Sequence, residues 1–62
     1  MKIREVIVIL LRDGWFIVNQ KGSHRQYKHP TKKGRVTVAG ALSDEVNPKT
    51  LKSIFKQAGL ER

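Results

Sequence analysis

Across the first dozen residues apolar side chains fall at Ile3, Val6, Ile7, Leu10 and Leu11, while Lys2, Arg4, Glu5 and Arg12 take other positions. Spacing by threes and fours gathers an apolar stripe on one side of a helix. Gly14 supplies the positive-φ position that commonly follows a helix, so the pattern predicts an end near Asp13. The β-branched residues lower intrinsic propensity, and the helix must therefore be held by packing of its stripe. From Trp15 to Gln20 aromatic and β-branched residues crowd between two glycines in a span too short for a helix, which predicts a strand. Lys21-Gly22-Ser23 predicts a turn, His24 to His29 a second strand, Pro30 to Gly34 a second turn, and Arg35 to Val38 a third strand. Ala39 to Val46 shows no period and predicts a loop. Asn47-Pro48 then predicts a helix start, with Asn as cap and Pro at the first helical position. Leu51, Ile54, Phe55 and Ala58 form the apolar face of that helix, and Gly59-Leu60 its stop.

The resulting order, helix, three strands, helix, is an α+β pattern. It predicts a two-layer fold with both helices on one face of a three-stranded antiparallel sheet and the other face open. The expected core is Ile3, Val6, Ile7, Leu10, Phe16, Val18, Val36, Val38, Leu51, Ile54 and Phe55. With 62 residues the whole chain, 1–62, reads as a single domain, and no repeat, linker or low-complexity tract interrupts it.

Charge changes the picture most. Thirteen Lys and Arg against five acids leave a formal charge of +8 on a very small body, a field that attracts polyanions and, above all, nucleic acid. The cations Lys21, Arg25, Lys28, Lys32, Lys33 and Arg35 cluster in the strands and their turns, whereas Lys49, Lys52 and Lys56 recur along the last helix at the spacing of a solvated face. Cysteine is absent. That removes disulfides, thiol nucleophiles and thiolate–metal sites, and fits a reducing compartment such as the cytoplasm. The apolar run Val6 to Leu11 is too short to span a bilayer and lacks a cleavage site, so neither membrane anchor nor signal peptide is expected.

Proton transfer at neutral pH falls to His24 or His29. His24 follows a flexible turn between Lys21 and Arg25, where a phosphate drawn to those cations lies within its reach; an ordinary polar surface position explains it as well. His29, before a proline and of opposite parity, reads as a turn or core-edge residue. Two histidines on opposite faces do not converge on one cation, so no metal is expected. Ser23 has no acid to orient a neighbouring imidazole as a triad needs. The carboxylates are scattered, with Asp44 and Glu45 expected near the N-terminus of the next helix. Trp15, Phe16 and Tyr27 suit core packing at least as well as base stacking.

Asp13-Gly14-Trp15, Gln20 to Tyr27, His29-Pro30, Gly34 to Val38 and Thr50 to Ile54 together resemble the HicA (YcfA-like) family of toxins, in the same order over nearly the whole chain. The resemblance implies a fold similar to a double-stranded RNA-binding domain and a ribosome-independent mRNA interferase of a type II toxin–antitoxin system. It implies that the histidine of the family's Gly-Ser-His motif is His24. It also implies a HicB-type antitoxin partner covering the active face, with the toxin monomeric when free and heteromeric when bound. No cofactor is expected. The expected contacts to single-stranded RNA are Lys21, Gly22, Ser23, Arg25, Gln26, Lys28, Lys32, Lys33 and Arg35. The chain departs from the family pattern at Ala39-Gly40-Ala41-Leu42, where many relatives carry a proline and often another histidine, and at Lys49-Thr50-Leu51 in place of Gly-Thr-Leu. A noncatalytic RNA-binding module and a surface for an acidic protein partner are the rival readings of the same residues.

Overall fold

A computed structural model describes residues 1–60 of the chain. Its elements run α1 (Ile3–Arg12), β1 (Phe16–Lys21), β2 (His24–Lys28), β3 (Val36–Val38) and α2 (Pro48–Gln57). The strands form one antiparallel sheet in the order β1-β2-β3. Both helices contribute to one apolar cluster with Tyr27, Val36 and Val38, residues that alternate onto a single sheet face, so the helices share that face and the other is open. The molecule is accordingly thin, 29 × 28 × 17 Å.

Local chemistry explains the element ends. The Glu5 carboxylate reaches back to accept the Lys2 N–H at 2.9 Å, satisfying one orphan donor of the first turn of α1. At its other end Trp15 N–H donates to Leu10 O and Gly14 N–H to Leu11 O while Gly14 sits at φ +102°, the paired bonds of a Schellman stop. α2 begins as expected, with the Asn47 side chain accepting from Lys49 N–H at 2.9 Å and Pro48 at the first position. It ends in the same kind of stop at Gly59, Leu60 N–H donating to Phe55 O.

Several expectations are corrected. Phe16 and Val18 are exposed, as is all of β1. β1 is an edge strand, and a bulge between Ile17 and Asn19 leaves Val18 without a partner. Trp15, which lies before the strand rather than in it, is buried instead, together with Tyr27, Val46 and Ala58. Ile7, Leu51 and Phe55 are half-buried against the core rather than within it. β2 stops at Lys28 and β3 begins at Val36, one residue inside each expected bound. Asp44 and Glu45 do not serve the N-terminus of α2. The Asp44 carboxylate accepts from Ala41 N–H and the Asp44 carbonyl from Ile3 N–H, while Glu45 pairs with the Met1 ammonium at 3.0 Å, so this loop is fastened to the start of α1.

Candidate nucleic-acid interface

The β1–β2 hairpin sets the site. Lys21 pairs with His24 across a two-residue loop; Gly22 has φ +59° and Ser23 a negative φ, the sign pattern of a type II′ turn, which asks for glycine at its first central position. The Gln20 amide closes the loop by donating to Gly22 O at 3.1 Å. His24 therefore opens β2 directly beside a tight turn, and its side chain is exposed.

Register then decides what shares its face. Tyr27 is buried under the helices, so residues of the opposite parity on β2, His24, Gln26 and Lys28, point to the open face. Their cross-strand partners come with them: Lys21 opposite His24, Asn19 and Thr37 flanking Gln26, and Phe16 opposite Lys28. Arg35 extends this face, its guanidinium donating to Gln26 Oε1 at 2.8 Å. The open sheet thus gathers His24 with four of the expected contacts, Lys21, Gln26, Lys28 and Arg35.

The remaining expected contacts are placed differently. Arg25 points to the helix side, where its guanidinium donates to Ser23 O at 3.2 Å and Gly40 O at 3.0 Å, tying the hairpin turn to the segment after β3. Gly22 and Ser23 are exposed in the turn, and Lys33 is exposed in the β2–β3 connection. Lys32 is engaged elsewhere: its ammonium donates to the Asp13 carboxylate at 2.6 Å and to Ala58 O at 2.9 Å.

His29 takes no part in the open face. Backbone N–H groups of Thr31 and Lys32 donate to its Nδ1, each at 3.1 Å, so Nε2 must carry the proton that it donates to Asp13 O at 2.6 Å. Its ring meets Trp15 edge-on with centroids 5.1 Å apart. Asp13 collects the rest of this knot, accepting also from Trp15 Nε1 at 3.1 Å. The Lys32 hydrogen bond, with the charge of Lys32 and the bond from Trp15, holds the Asp13 carboxyl below its ordinary pKa against the opposing cost of desolvation. Burial pushes the Tyr27 hydroxyl up. This four-residue knot was missed by sequence reasoning, although Asp13-Gly14-Trp15 and His29-Pro30 were both conspicuous segments.

Among the described residues no group of three His, Cys, Asp or Glu side chains comes together as a metal site, and no helix is long and apolar enough to cross a membrane. A shallow apolar groove of about 400 Å³ runs along α1 past Arg4, Val8 and Ile9, and none of the open-face residues lines it.

A family model described as HicA toxin of bacterial toxin-antitoxin matches residues 3–60. Among solved structures, a chain titled as part of a toxin–antitoxin complex from Streptococcus pneumoniae is 33% identical, with 97% of this chain and 98% of that one covered and a TM-score of 0.76. No curated protein matches.

Proposed function

The chain belongs to the HicA toxin family of bacterial toxin–antitoxin systems, and we propose that it acts as a ribosome-independent mRNA endonuclease with His24 as its catalytic residue. The observation that carries this reading is the exposed His24 imidazole on an open sheet face that also bears Lys21, Lys28 and Arg35. In the proposed reaction those cations hold the backbone of single-stranded RNA. His24 takes the proton of a ribose 2′-hydroxyl, O2′ attacks the adjacent phosphorus, and the P–O5′ bond breaks. One product ends in a 2′,3′-cyclic phosphate; the departing 5′-oxygen takes its proton from water. DNA lacks the attacking hydroxyl and is spared.

A HicB-type antitoxin that covers this face is the proposed partner, and the solved relative's place in a toxin–antitoxin complex supports it. A second reading, an RNA-binding module without catalysis, is favoured by one observation: among the described residues no side-chain or backbone group hydrogen-bonds the His24 ring to orient it.

The test is cleavage of a defined mRNA by the wild type and by His24→Ala, each checked for folding by circular dichroism. Cleavage by the wild type alone, with cyclic-phosphate ends and persistence in chelator, is the expected result. Binding without cleavage by either protein transfers the case to the module, and a strict metal requirement overturns the mechanism.

A further inference from the structure

We propose that Phe16 is a nucleobase platform for the RNA strand, a role that rests on the RNA-cleaving reading and adds to it a residue that fixes where the strand lies. Phe16 is 48% exposed, a large apolar ring of the kind that stacks on bases. The buried aromatic positions of the fold are filled by its neighbour Trp15 and by Tyr27. Register puts Phe16 opposite Lys28, on the same face as His24 and away from the helices. Lys28 follows His24 by four strand residues, about 13 Å, so the ring stands a few nucleotides from the scissile phosphate.

The surroundings select the occupant. Lys28 lies directly across from the ring and the Gln26–Arg35 pair stands between it and His24. An extended strand whose phosphates follow those polar groups can turn one base down onto the ring. Stacking of this kind tolerates any base, because each has a π-face, and it adds affinity without reading sequence by hydrogen bonds. Edge-to-edge pairing with another strand is disfavoured at this place by the bulge at Val18, which interrupts the regular ladder.

The experiment measures binding of a single-stranded oligoribonucleotide carrying 2′-O-methyl groups throughout, so that it cannot be cut, to wild type, Phe16→Ala, Phe16→Leu and Phe16→Tyr. Phe16→Ala is expected to weaken binding roughly five- to a hundredfold. Phe16→Leu should fall with it and Phe16→Tyr should bind as the wild type does, because only tyrosine restores a ring. Replacing nucleotides one at a time by abasic residues should reveal a position whose loss matters to the wild type and not to Phe16→Ala.

Equal binding by Phe16→Ala, leucine substituting as well as tyrosine, or the absence of such a position overturns the platform. So does a defect confined to antitoxin binding, which would make the ring a protein contact. Because the probe cannot be cleaved, a platform confirmed in a protein that cuts nothing sinks the nuclease reading alone, whereas a nuclease indifferent to Phe16→Ala sinks the platform alone.

Discussion

The Lys32 ammonium donates to the Asp13 carboxylate at 2.6 Å, joining the turn before β3 to the end of α1 across nineteen residues of sequence. The same nitrogen donates to Ala58 O, so one side chain laces both helix ends to the β2–β3 connection. Replacing Lys32 by Met keeps most of the apolar stem and removes the charge. The expected outcome is a lower Tm at neutral pH. Since Lys32 holds the Asp13 pKa below its unfolded value of 3.8, this stabilisation is complete above that value and is lost as pH falls through the lower folded one. The Tm difference between wild type and Lys32→Met should therefore shrink on acidification below about pH 4. A difference constant from pH 7 to pH 3 would show that the ion pair is not its source.

Gly14 is required twice over. Its φ of +102° lies where side-chain-bearing residues are strained, and a Cβ there would stand 2.9 Å from His29 Nε2. His29 is fixed by hydrogen bonds at both ring nitrogens and cannot step aside freely. Gly14→Ala should cost about 2 to 3 kcal/mol in urea unfolding, from backbone strain and the displaced ring together. A loss below about 0.5 kcal/mol, the range of an ordinary surface change, would contradict this.

The two histidines should separate cleanly. His24→Ala is expected to abolish RNA cleavage and leave Tm unchanged, since the ring is exposed and packs on nothing in the core. His29→Ala removes the acceptor for two backbone N–H groups and the donor to Asp13 O, and should lose on the order of 2 kcal/mol of stability. Its cleavage should fall only in proportion to the unfolded fraction. Full inactivation of a folded His29→Ala protein would mean that the knot feeds the open face, and would reopen the assignment.

What the sequence made legible follows from which signals are local. Helix stripes, the Asn47-Pro48 start and the Gly14 and Gly59 stops depend on neighbours within a turn, and all are found in the structure. The position of His24 was legible because the turn before it and the parity of β2 are local too. That β1 stays exposed along its whole length was not. The unbroken apolar run Phe16-Ile17-Val18 marks neither face, and the bulge at Val18 is set by pairing with β2. The knot of Asp13, Trp15, His29 and Lys32 joins the α1–β1 connection to the β2–β3 connection, as far as nineteen residues apart, so no window along the chain could hold it. Lys32 looked like its neighbour Lys33 for that reason: composition counts cations but cannot tell which of them already have a carboxylate.

That distinction has a consequence for salt dependence. Binding of single-stranded RNA releases counterions in proportion to the phosphates neutralised, with a slope of log affinity against log salt of about −0.7 for each. Lys21 and Lys28 stand exposed on the open face, so Lys21→Gln and Lys28→Gln should each make the slope shallower by about 0.7. Lys32 already neutralises Asp13 rather than a phosphate, and Lys32→Gln should leave the slope nearly as it was while lowering stability. The measurement is RNA affinity of each folded variant from low to moderate salt, with the uncleavable oligonucleotide. If Lys32→Gln flattens the slope as much as Lys28→Gln does, the Asp13 pair must open when RNA binds, and the basic surface extends past the open face to the ends of the helices.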